Sequence, residues 1–235
     1  MTESVNFAAG EGRQYRAYGI AAAMLLALLV CSDREAYRRF MGVIPPLGAY
    51  LGAVIVGAIM LHGLKARGGF SVLKSDRAAE RWSIPALAAV FGIVIAVADA
   101  VIVFPIEMNV PWPRSLFFYP VIGFIVEVFF HLVPLGILLH AVGAALRRPV
   151  GARGIWFCLL AVSLLEPAFQ GAALYGQGRY AAGAVVFVGA HVWLINLAGL
   201  WFFRKYDFLS MYAFRLVYYL FWHILWGHLR LGLLF

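Results

Sequence analysis

Residues 116–146 read LFFYPVIGFIVEVFFHLVPLGILLHAVGAAL, an apolar run interrupted only by Glu127, His131 and His140. A helix needs about 20 apolar residues to cross a hydrocarbon core of ~30 Å. The run is therefore too long for one straight crossing, and Pro120 and Pro134 allow either one kinked helix or two spans. Whichever holds sets the topology of the whole chain.

Flanking runs at 17–31, 42–63, 83–105, 154–173, 180–203 and 207–227 are each near spanning length, the first being short. Their backbone must satisfy its own hydrogen bonds in lipid, so they are expected as helices. Charge decides between one crossing and two. With residues 116–146 crossing once, 12 Lys and Arg fall on the N-terminal side and 6 on the other; crossing twice gives 9 and 9. The positive-inside rule favours the asymmetric split. The expected architecture is thus all-α, a polytopic bundle of seven spans (eight if 116–146 crosses twice), with the N-terminus cytoplasmic in a bacterial inner membrane.

Composition agrees. The 235 residues are 64% hydrophobic and 13% charged, with mean hydropathy +0.87, against about 25% charged in soluble domains. The net charge of +8 resides in loops rather than in a nucleic-acid-binding face, so the expected partner is the lipid bilayer and no nucleic acid. Residues 1–235 form a single transmembrane domain; the longest polar stretch, 65–81, suits a connection. Cys31 and Cys158 are too far apart in sequence and too apolar in setting for a disulfide framework or a CxxC site. Pro111-Trp112-Pro113 and Trp222–Trp226 read as interfacial belts, and Gly52–Gly57 and Gly183–Gly189 as close helix-packing surfaces.

Polar residues inside the spans carry the functional signal, since each costs about 2.5–3.5 kcal/mol at a helix centre when charged. Glu127 and His131 are i, i+4 on the fourth span and share a face. His140 lies about 180° from His131 and suits an interface. Glu166 and Gln170 are i, i+4 on the fifth span. Arg215, Tyr219 and His223 form an i, i+4, i+8 stripe on the last. His191 and Asn196, about 140° apart, share no obvious partner. Asp99 reads as an interfacial or helix-pairing residue, and His62 and His228 as interfacial.

Two readings of these groups stand. Glu127, Glu166 and Arg215, completed by histidines and an amide, make an ionic network that holds three helices. Alternatively, Glu127 and His131, with His223 or His191 as a third ligand, hold a divalent transition metal such as zinc.

The segment from Asn196 through Gly199, Arg204, Lys205 and Tyr206 to His223 resembles the carboxy-terminal part of the CAAX-protease and bacteriocin-processing (CPBP) intramembrane protease family. The motif-bearing core spans 116–228. The family's E-E-x-x-x-R falls on Val126, Glu127 and His131. Its F-x-x-x-H falls on Glu166 and Gln170, and its last motif on Arg215, Tyr219 and His223. The resemblance implies an intramembrane hydrolase in which a Glu and a His activate water. Here the activating His is Gln170, which cannot act as a base, and Arg215 replaces a His that helps hold the oxyanion. Three functions follow as expectations. The first is a non-catalytic or remodelled member with an intramembrane polar centre and a membrane-protein partner. The second is an active intramembrane (metallo)peptidase using Glu127 and His131 on a peptide substrate. The third is a proton-coupled transporter.

Overall fold

In the computed structural model, residues 2–66, 69–74, 80–176, 178 and 180–235 are described. Eleven α-helices follow one another: α1 (Thr2–Cys31), α2 (Arg34–Met41), α3 (Pro46–Ala66), α4 (Ser83–Ile102), α5 (Ser115–Val126), α6 (Val133–Leu146), α7 (Ala152–Ser163), α8 (Leu165–Gly176), α9 (Ala182–Lys205), α10 (Phe208–Tyr219) and α11 (Gly227–Leu233). Two π-helical segments, Glu127–Leu132 and Leu220–Trp226, join α5 to α6 and α10 to α11. No strand occurs among the described residues.

Among the described residues, seven helical stretches are long and apolar enough to cross a membrane: Gly12–Cys31, Pro46–Ala66, Ser83–Ile102, Ser115–Leu146, Ala152–Gly176, Ala182–Lys205 and Phe208–Leu233. Residues 115–146 stay helical throughout, with no turn at Pro120 or Pro134. The stretch therefore forms one span. The last span runs on to Leu233, past the expected end near residue 227.

The distribution of side chains is that of a membrane protein. Leu51, Ile55 and Ile59 on α3 and Val90, Ile93, Val97 and Val101 on α4 face outward and are exposed, whereas Glu127, Glu166, Arg215 and Arg230 of the later spans are buried. In water such an exposed apolar belt would be an aggregation surface; in lipid it is the solvated face. This is an integral membrane helical bundle.

α10 lies at the centre, packed against α4, α5 and α9, with α1 and α3 against α5 and with α7 and α8 against α9. An aromatic hub fixes the crossing of α1, α3, α5 and α10. The Phe124 ring lies 6.0 Å from Tyr18, 6.0 Å from Tyr50, 5.8 Å from Tyr212 and 6.1 Å from Phe208. Each buried phenol then needs an acceptor. Tyr18 donates to the Val54 carbonyl at 2.9 Å, Tyr212 to that of Pro120 at 2.7 Å, and Tyr50 to that of Ala22.

Small residues set the helix spacing. A Cβ on Gly57 would meet the Tyr18 hydroxyl at 2.5 Å and Val128 at 3.2 Å, so only glycine admits α1 and the first π segment there. Gly183 and Gly189 differ from the packing surface expected of them: nothing lies within 4 Å of either missing Cβ. The N-terminal half of α9 is thin because it faces outward.

Polar caps tie loops to the bundle. Asp207, fully buried, caps α10 by accepting from Ser210 N at 2.8 Å through Oδ1. Its Oδ2 accepts from Lys74 N at 2.9 Å and pairs with Arg81 at 2.8 Å, so Lys74 and Arg81 are pinned over the start of α10. At the other end, Asp33 caps α2, whose Tyr37 packs on Phe118 at 4.8 Å. Burial pushes the Tyr37 hydroxyl up to about 12, so this anchor stays a neutral phenol.

Candidate functional site: a buried ionic centre

Glu127 lies 12 residues beyond the start of its span, about 18 Å along the helix and hence deep in the hydrocarbon. The backbone there is π-helical, a local form frequent at functional sites. Gly123 lies one turn before it. A Cβ at Gly123 would meet the Tyr219 ring at 3.1 Å and Arg215 Cγ at 3.5 Å, so glycine is what brings α10 close enough to pair.

Arg215 organises the centre. Its Nε donates to Glu127 Oε1 at 2.6 Å, while Nη1 and Nη2 donate to Glu166 Oε1 at 3.3 Å and Oε2 at 3.1 Å. The latter is a fork-to-fork pairing, which fixes orientation as well as charge. Nη2 also donates to Asn196 Oδ1 at 3.0 Å, and Asn196 Nδ2 reaches the Ser163 carbonyl at 3.4 Å. Gln170 donates to Glu166 Oε1 at 2.9 Å. The Tyr219 ring lies 5.7 Å from the guanidinium carbon. Residues from α5/α6, α8, α9 and α10 thus meet at one point, with Glu127, Glu166, Asn196 and Arg215 all at most 3% exposed.

His131 occupies a different position in the network. Its Nδ1 is 2.9 Å from Glu127 Oε2 and its Nε2 3.8 Å from Glu166 Oε2, within ion-pair range of both carboxylates. Neither ring nitrogen is aligned for a hydrogen bond. The imidazole is fully enclosed, lodged between the two carboxylates.

The structure therefore brings together Glu127, His131, Glu166, Gln170, Asn196, Arg215 and Tyr219. It places His223 elsewhere: Nδ1 lies 2.6 Å from Asn109 Oδ1 and the ring stacks on Tyr119 at 4.3 Å. His191 sits in an aromatic cage, 5.8 Å from Phe187 and 5.6 Å from Phe91, with Tyr218 Oη 3.4 Å from its Nε2. Glu127, His131 and His223 are not assembled as a ligand set. Among the described residues, no group of three His, Cys, Asp or Glu side chains is placed to hold a metal ion. The physical reason is Arg215: its guanidinium fills the space between the carboxylates and already supplies the positive charge. The donor set does not fit a divalent ion.

A second buried pair lies toward the end of the last span. Arg230 donates to Asp99 through Nε at 2.6 Å and Nη2 at 2.9 Å, and to the Pro105 carbonyl at 3.1 Å; both residues are 0% exposed. Trp226 Nε1 adds a bond to Asp99 Oδ2 at 2.7 Å. Trp226 is read from sequence as part of an interfacial belt; here it is half-buried and turned onto Asp99. The last helix continues to Leu233, nearly two turns beyond its apolar run, and so carries Arg230 inside. Trp222 is likewise buried, 6.1 Å from Phe104, while Trp112 is half exposed. Asp99 takes the helix-pairing alternative. Asn109 and Ser163 had no sequence signal, since their roles depend on which helix lies opposite.

Comparison of the chain with protein-family models, with curated proteins and with solved structures finds no match in any of the three.

Proposed function

We propose that this chain is a non-hydrolytic member of a CPBP-like scaffold, whose charged centre holds a bundle that binds a membrane-protein or peptide partner. The same proposal places it in a bacterial inner membrane with the N-terminus cytoplasmic, on the 12-to-6 division of Lys and Arg.

One observation carries the reading: Arg215 clamps both carboxylates. A general base needs a free lone pair aimed at a water, yet Glu127 Oε1 faces Arg215 and Oε2 faces His131, while both Glu166 oxygens accept from Arg215 and one also from Gln170. What remains is a network suited to joining helices.

The peptidase reading has its own support in the 2.9 Å approach of His131 to Glu127 and the unaligned imidazole. It requires Arg215 to release Glu127. A proton-coupled transporter would draw on the same imidazole, poised between two carboxylates. Purified protein in lipid nanodiscs, incubated with a library of membrane-spanning peptides, separates these readings. We expect no cleavage above background by wild type, and a lower melting temperature for Glu127→Gln. Cleavage by wild type that Glu127→Gln abolishes while remaining folded would overturn the proposal.

A further inference from the structure

At the end of the bundle where the second and fourth spans finish and the fifth begins, the helices part around a cavity of about 450 Å³. That volume falls within the roughly 300–1,000 Å³ of small-molecule sites. The space exists because Ala66, Gly143 and Ala144 are small where three helix ends converge. Its deeper wall is apolar, with Leu139 about 10 Å, seven residues, inside the end of α6 at Leu146. Its rim carries Arg148 and His140, and among the described residues no acidic side chain lines it.

Arg148 is exposed and has no hydrogen bond or ion pair within the described chain. This contrasts with Arg81, Arg114, Arg215 and Arg230, all of which face carboxylates. A further cation supports the wall: Arg204 lies 5.4 Å from the ring of the lining residue Phe70 and donates to the Gly69 carbonyl at 2.7 Å. The cavity thus lies where the spans end, at headgroup level, with an uncompensated guanidinium outside and hydrocarbon inside. Basic pockets of this kind between membrane helices suit acidic lipid headgroups.

We infer that this cavity is a binding site for an acidic phospholipid, with the headgroup phosphate on Arg148 and an acyl chain laid against Leu139 and Ile155. The amphiphilic lining decides for a lipid over a soluble anion, which would have no use for the apolar wall.

Native mass spectrometry of the full-length protein, with dioleoylphosphatidylglycerol, dioleoylphosphatidylcholine and inorganic phosphate as probes, tests the site. Phosphatidylglycerol should be retained and phosphatidylcholine lost. Arg148→Glu should lower phosphatidylglycerol occupancy about tenfold or more, whereas Arg34→Glu, on exposed α2, should leave it unchanged. Ala144→Trp, which fills the cavity without altering charge, should abolish retention; it keeps the test open if Arg148→Glu misfolds. Equal retention of both lipids, or phosphatidylglycerol binding indifferent to both variants, would overturn the inference. Displacement of phosphatidylglycerol by millimolar phosphate would overturn the lipid assignment and make the ligand a soluble anion.

Discussion

Arg215 is the residue on which the buried centre depends, because it is the cation that faces two carboxylates in a medium that solvates neither. Removing one member of a buried ion pair costs about 3–5 kcal/mol, whereas replacing a whole network with apolar residues of similar volume is often neutral. Arg215→Met should therefore lower unfolding free energy by about that amount in detergent, with Glu127 and Glu166 stranded. The triple variant Glu127→Met, Glu166→Met, Arg215→Leu should recover most of the loss. If the triple variant is no more stable than Arg215→Met, the network contributes more than mutual compensation. Arg230→Met tests the second pair independently. It lies 15 residues, about 22 Å, along the helix from Arg215, so the two losses should add within about 0.5 kcal/mol.

At the scale of the helices, close approach has to precede pairing, and Gly123 is the position where the two meet. Its missing Cβ lies 3.1 Å from the Tyr219 ring, while at Gly189 nothing lies within 4 Å. Gly123→Leu should push α10 outward and destabilise by about 1–3 kcal/mol through overpacking and a stretched Arg215–Glu127 pair. Gly189→Leu, the same change on an open face, should stay within about 0.5 kcal/mol of wild type in a thermal melt. Equal effects would show that α5 and α10 are not held at the spacing described. The contrast also explains what the sequence could convey. Span number was legible, since hydropathy is summed over some twenty residues and one misread position changes little; the end of the last span was not, because Arg230 is polar in sequence but paired inside the bundle. The i, i+4 pairs Glu127–His131 and Glu166–Gln170 were legible because they are local. Which glycines pack, whether Trp222 and Trp226 turn inward, and that Asp99 meets Arg230 all depend on the helix opposite. So does the separation of His223 from Glu127, since His223 lies 2.6 Å from Asn109 on the connection between α4 and α5.

For the molecule as a whole, the polar layout is that of a bundle turned inside out, with charges at the centre and Ile, Leu and Val outside. Its orientation then rests on the connections. The arrangement with the N-terminus cytoplasmic puts Arg147, Arg148 and Arg153 on the cytoplasmic side together with the proposed lipid cavity, and leaves Cys31, at the end of the first span, on the outer side. Cys31 is exposed and Cys158 is buried, so the native thiols already discriminate. In intact cells a membrane-impermeant maleimide should label Cys31, leave Cys158 unlabelled until denaturation, and reach an introduced Arg153→Cys only after lysis. Labelling of Arg153→Cys together with Cys31 in intact cells would mean that residues 116–146 cross twice. Protection of Cys31 with labelling of Arg153→Cys would invert the bundle, placing Arg148 in the outer leaflet. The positive-inside rule predicts the first pattern, because inversion would carry 12 of the Lys and Arg across the membrane instead of 6.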